Sequence, residues 1–305
     1  MSLAPPTQIE TVVGRVLAVY RGWSRSPELA RMRADWDALF APAAASIRVS
    51  PVADPAMRAA CWLEAPGARA DRVVLYLHGG GYQLGSVRSH AGLMGEISAA
   101  ARCRVLGVDY RLAPEHRFPA AFDDARNAYE WLLRRGHATG HIALAGDSAG
   151  GGLVLALLLA LRDQAQPLPA AAVALSPWTD LTASGTSYAE IGDRDPIHAK
   201  AMLIAIARSY LGGDGDARDP RASPLHGRLH GLPPLLLQAG EREVVLSDSI
   251  DFAAKARAAG VEVYMEVWPG MIHVFQQHFD ALAEARKAIE AIGAFLVANW
   301  ERSAR

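Results

Sequence analysis

Residues 146–150 read Gly-Asp-Ser-Ala-Gly, a G-x-S-x-G pentapeptide set between the apolar run Ile142–Ala145 and the apolar stretch Leu153–Leu161. A strand running into a tight turn and then a helix is the context in which this pentapeptide exposes its serine at a strand end. Ser148 is therefore the candidate nucleophile. The glycines on either side leave room for neighbouring backbone, and the N-terminus of the following helix favours developing negative charge. A serine hydroxyl alone is a poor nucleophile. It needs a base within hydrogen-bond reach, an acid to orient that base, and N–H donors for the oxyanion of acyl transfer.

Each partner has a candidate. His273 lies in Trp268-Pro-Gly-Met-Ile-His-Val-Phe275, just after the last predicted strand. Its neutral imidazole can take the serine proton and return it to a leaving group. Ten histidines are present, and His273 is set apart by chain order: nucleophile, then acid, then base. The acid is sought in Gly240–Asp248, which offers Glu241, Glu243 and Asp248. Glu243 fits best, because it precedes an apolar step and a helix predicted to start at Ser247. Asp248 suits the cap of that helix, where a carboxylate accepts free N–H groups, and it stands as the alternative acid. His78-Gly79-Gly80-Gly81-Tyr82 follows the strand 73–77. Its glycine N–H groups, with that of Ala149, would hold the oxyanion, and His78 is expected to brace the loop by hydrogen bonding. Asp109–Glu115 either supports that loop with a charged network or is simply solvated.

The elements that must position these residues are legible as patterns. Residues 1–45 carry apolar residues at helical spacing (Ile9, Val12, Val13, Val16, Leu17, Tyr20, then Leu29, Met32, Trp36, Leu39, Phe40), with Pro27 near the start of the second helix. Strands are expected at 47–50, 59–63, 73–77, 104–108, 142–145, 171–175, 234–238 and 261–267. Helices are expected near 90–101, 120–135, 153–161 and 248–259. Alternating strands and helices imply an α/β fold with an eight-stranded, mostly parallel sheet flanked by helices on both faces. Residues 1–45 are expected to form an N-terminal helical segment on a catalytic domain spanning 46–305, either as a cap over the site or as cover for a sheet face. Residues 182–231 interrupt the alternation with turn-rich pieces around a helix near 198–211, and are expected to be a second cap insertion. Trp178, after a strand end, is equally suited to lining the pocket and to core packing.

Composition excludes several classes. Lys plus Arg number 31 and Asp plus Glu 32, giving a net charge of −1. No basic excess attracts nucleic acid or anionic lipid. Cys61 and Cys103 are read as reduced core thiols. No metal-ligand spacing appears, and no run of about 18 apolar residues suggests a membrane span. No basic segment with an apolar stretch marks a signal peptide, so the expected location is cytoplasmic.

His78-Gly-Gly-Gly, Tyr110-Arg-Leu-Ala-Pro-Glu115, Gly146-Asp-Ser-Ala-Gly150, Ser176-Pro-Trp-Thr-Asp180 and Gly270-Met-Ile-His273 together resemble the bacterial hormone-sensitive-lipase-like family of α/β-hydrolase carboxylesterases. The resemblance spans about residues 45–300. It implies an α/β-hydrolase fold with a cap, a triad of Ser148, an acid and His273, and oxyanion donors at the N–H groups of Gly80, Gly81 and Ala149. It also implies a small-molecule ester substrate with a short to medium acyl group, no cofactor, and the homodimer that many members form. Many members carry Asp-Pro-Leu at the acid position where this chain has Glu243-Val-Val. The function expected is a serine carboxylesterase. The alternatives are a related amidase, lactonase or acetyl-sugar esterase, or a hydrolase-like binding protein without catalysis.

Overall fold

The structure, a computed structural model, describes residues 7–23, 28–57 and 59–303. Pro27 lies outside the described residues. Eight strands form one sheet: β1 (Arg48–Pro51), β2 (Ala60–Glu64), β3 (Arg69–Leu77), β4 (Cys103–Val108), β5 (Ile142–Asp147), β6 (Ala171–Leu175), β7 (Leu235–Gly240) and β8 (Val263–Trp268). Their order is β1-β2-β4-β3-β5-β6-β7-β8. The β1–β2 and β2–β4 pairs are antiparallel and all others parallel. The helices are α1 (Gln8–Trp23), α2 (Leu29–Leu39), α3 (Val87–Ala101), α4 (Ala120–Arg134), α5 (Ala149–Asp163), α6 (Ser187–Glu190), α7 (Lys200–Leu211), α8 (Leu246–Ala258) and α9 (Ala283–Ser303).

The central strands are apolar on both sides because helices cover both faces. Val73, Leu75 and Leu77 of β3 belong to the core that α4, α5 and α8 also help form, while Val74 and Tyr76 belong to the core that α3 and α9 help form. β5 divides the same way, Ile142 and Leu144 to one face and Ala143 and Ala145 to the other. Helix α5 runs beneath the sheet with Leu153–Leu159 all buried, which is why its sequence is apolar all round.

Strand order places the site. α3 carries the chain from β3 outward to β4 and α4 returns it past β3 to β5, so the winding reverses at β3. Ligands in open α/β sheets sit beyond the strand C-termini at such a reversal. Leu77 pairs with Gly146 there, which brings the His78 loop beside Ser148.

Two departures from the sequence reading have physical causes. β3 begins at Arg69 rather than Val73, because a polar extension pairs with Cys103 across a register shift. β8 spans Val263–Trp268 rather than 261–267 and, lying at the edge of the sheet, leaves Tyr264 48% and Val267 41% exposed. Among the described residues of the 1–45 segment, two helices form, α1 and α2. In α1, Val12 and Val16 are buried, and Val12 packs on Ile272 and Phe275. α2 buries no residue completely. It is held by Arg33, which donates to the Gln83 carbonyl at 2.9 Å and to both Glu115 oxygens at 2.8 Å.

Candidate active site

Ser148 stands between β5 and α5 with φ 52° and ψ −120°, a conformation that a side-chain-bearing residue adopts only under constraint. The constraint is hydrogen-bonded. Its N–H donates to the Leu175 carbonyl at 2.8 Å, and its carbonyl accepts from Trp178 at 2.9 Å and Gly152 at 3.0 Å. A Cβ on Gly150 would lie 2.0 Å from the Leu77 carbonyl oxygen, so only glycine lets α5 start this close to β3.

The hydroxyl meets the candidate base directly. Ser148 Oγ is 2.8 Å from His273 Nε2, and His273 Nδ1 is 2.6 Å from Glu243 Oε2. With Nδ1–H donating to the carboxylate, Nε2 is free to accept the serine proton. Glu243 is fully buried, and its Oε1 accepts the Gly240 N–H at 3.0 Å. Burial works against charge on His273, but the Glu243 hydrogen bond and charge outweigh it and raise the imidazole above its usual range.

Asp248 takes no part in this line of contacts, and it does not cap its helix either. α8 begins at Leu246 with Val245 before it, which turns Asp248 inward. Its Oδ2 accepts the N–H groups of Thr179 and Asp180, each at 2.8 Å. Burial pushes its carboxyl up to about 8. Glu241 points to the surface, accepting the Gly270 N–H at 2.8 Å.

The loop after β3 is braced from below. Asp147 accepts the Tyr76 hydroxyl at 2.8 Å and the Gly79 N–H at 3.0 Å. Burial opposes its charge, yet His90 and Tyr76 keep its carboxyl below the ordinary range. His78 bonds the Gly79 carbonyl through Nδ1 at 2.8 Å and stacks on Tyr110 at 4.2 Å. Burial lowers it to about 3, so it is a neutral support. Tyr110 donates to the His78 carbonyl at 2.6 Å. With Glu115 on Arg33, the Asp109–Glu115 stretch is a brace rather than a solvated loop. Gly80 has φ 114°, and a Cβ there would meet the Leu84 carbonyl oxygen at 2.3 Å.

Above Ser148, Gly80, Gly81 and His273 opens a cavity of about 290 Å³. Its walls include Tyr20, Trp36 and Phe40 from the N-terminal helices and Met202, Leu203 and Ile206 from α7. Trp178 both lines it and belongs to the core, where it is 1% exposed. Cys61 and Cys103 are free thiols. Among the described residues no cluster of His, Cys, Asp or Glu is arranged to hold a metal ion, and no helix is long and apolar enough to cross a membrane.

The chain as a whole is similar to known proteins. Residues 74–277 match the family model described as the alpha/beta hydrolase fold. An acetyl-hydrolase of Streptomyces hygroscopicus is 48% identical over 231 residues, covering 76% of this chain and 77% of the relative. A crystal structure of an esterase from the bacterial hormone-sensitive lipase family superposes with a TM-score of 0.92 at 43% identity, covering 98% of this chain and 100% of that one. The chain belongs to the bacterial hormone-sensitive-lipase-like family of α/β-hydrolases. Another solved structure, EstE5 from a crystal soaked with p-nitrophenyl butyrate, is 42% identical with a TM-score of 0.90, covering 98% of this chain and 100% of that one.

One residue of this hydrolase site went unmarked in the sequence. The ring of His198 packs edge-to-face on His273 with centroids 4.6 Å apart. Burial and the neighbouring His273 hold it well below the usual imidazole range. It sits in the 182–231 segment, 75 residues before His273, and nothing in its local pattern signals the contact.

Proposed function

We propose that the protein is a serine carboxylesterase that cleaves small acyl esters through a covalent acyl-enzyme. The observation that carries this reading is the hydrogen-bonded line Ser148–His273–Glu243, at 2.8 Å and 2.6 Å, beneath a mostly apolar cavity. His273 Nε2 takes the Ser148 proton as Oγ attacks the ester carbonyl. The N–H groups of Gly80, Gly81 and Ala149 receive the oxyanion, and the α5 N-terminus adds to that field. His273 then gives its proton to the alcohol oxygen as the C–O bond breaks. Water, deprotonated by the same imidazole, releases the acid and restores Ser148. Glu243 keeps the tautomer and stabilises the imidazolium.

The substrate preference is for short to medium acyl chains. A cavity of about 290 Å³ is at the small end of ligand pockets, and the name of the Streptomyces relative, acetyl-hydrolase, points the same way. The described part of residues 1–45, together with 182–231, acts as the cap whose side chains close over that pocket. The test is hydrolysis of p-nitrophenyl esters from acetyl to long-chain acyl. Activity peaking at short or medium chains is expected; a maximum at long chains would overturn the size assignment, and silence across the series would overturn the esterase.

A further inference from the structure

Val244 directly follows Glu243 and is fully buried. Both of its backbone polar groups are held by side chains of the 182–231 segment. Its N–H donates to Asp195 Oδ2 at 2.9 Å, and its carbonyl accepts the Ser187 hydroxyl at 2.5 Å. The Ser187 oxygen also accepts the Ser247 N–H at 2.9 Å and lies 2.6 Å from Ser247 Oγ, so its hydrogen-bonding capacity is full. Asp195 Oδ1 accepts the N–H groups of Ile197 at 2.8 Å and His198 at 3.0 Å. That seats the His198 ring on His273. One carboxylate thus ties the residue beside the acid to the residue packed on the base.

Asp195 is 6% and Ser187 4% exposed. A buried carboxylate is costly unless hydrogen bonds satisfy it, and this one accepts three backbone N–H groups. An asparagine would keep the shape but turn an NH₂ toward at least one of those donors.

We propose that Asp195 and Ser187 are positioning residues for catalysis. They hold Glu243 in register with His273 through Val244, so the 182–231 segment sets the acid–base contact as well as the pocket wall. This rests on the Ser148–His273–Glu243 reading. Asp195 also has an electrostatic reach: its charge, with those of Glu243 and Asp147, favours the protonated His273, against burial and beside a neutral His198.

The experiment compares wild type, Asp195→Asn, Ser187→Ala, Glu243→Gln and the double variant Asp195→Asn/Glu243→Gln on p-nitrophenyl butyrate, with kcat, KM and pH profiles. Asp195→Asn should lower kcat about tenfold to a hundredfold, as small misplacements of catalytic groups do. KM should stay near wild type, and the acidic limb of kcat/KM should move to lower pH. Ser187→Ala should lower kcat without moving the limb, because it removes no charge. In the Glu243→Gln background, Asp195→Asn should cost less than about twofold in kcat, since groups acting as a unit are not additive. Wild-type kcat and limb in a folded Asp195→Asn protein would overturn the proposal, as would an equal kcat loss in both backgrounds. If Asp195→Asn does not fold, an unchanged kcat in Ser187→Ala overturns it. Glu243→Gln with wild-type kcat would instead overturn the triad beneath it.

Discussion

Glu243 does two things for His273: it accepts the Nδ1 proton at 2.6 Å, and it raises the affinity of the ring for a second proton. The sign follows. A base with a raised pKa is lost to protonation as pH falls through that value, so activity should fall along an acidic limb centred above the ordinary imidazole value of about 6.5. Glu243→Gln should move that limb to lower pH and cut kcat by about 10⁴, the scale seen when a triad acid is made neutral. Asp248→Asn should leave kcat within about tenfold of wild type, because the residue props the 179–180 turn rather than His273. Its stability effect also has a sign. With a folded-state value pushed up to about 8, Asp248 in the wild type loses stability as pH rises from the ordinary carboxylate range toward 8. Thermal melts across that window should show the wild type falling relative to Asp248→Asn, and parallel curves would contradict the assignment. Sequence alone left Glu243 and Asp248 in competition, since both are acids five residues apart. What separates them is the start of α8, which sends one side chain to the histidine and the other to the turn.

At the scale of elements, the nucleophile turn is the most legible feature, because its glycines, apolar strand and apolar helix are contiguous. β6 falls on Ala171–Leu175 as read, and the other interior strands lie within a few residues of expectation. Interior strands of a parallel sheet are continuous apolar runs with few competing signals. The order of strands was not legible. Nothing local says that β4 lies outside β3, although that reversal creates the site. Edge character was also hidden: apart from Glu266, β8 carries Val, Tyr, Met, Val and Trp like an interior strand, yet none of its six residues is buried and two are exposed. Glycine tests the packing. Gly150→Ala puts a Cβ 2.0 Å from the Leu77 carbonyl oxygen and should destabilise by ~2 kcal/mol or more, as overpacking does. Gly14→Ala, exposed in α1 with nothing within 4 Å, should stabilise by up to ~1 kcal/mol through helix propensity. Chemical denaturation of both variants checks the contrast.

For the whole molecule, the candidate catalytic groups stand at the ends of the sheet's strands while the pocket walls come from helices added before and within it. The two helical segments were legible as amphipathic stretches, but their convergence over one serine was not, since they are separated by about half the chain. Acyl transfer through Ser148 would leave an acyl group that can be caught on that residue. Wild type and Ser148→Ala would be mixed with p-nitrophenyl acetate, quenched in acid during turnover, and digested for mass spectrometry. One acetyl group is expected on the peptide containing Ser148 in the wild type. No adduct is expected in Ser148→Ala, with turnover reduced about a millionfold. An acetyl group on another residue, or Ser148→Ala turning over at the wild-type rate, would contradict acyl transfer through Ser148.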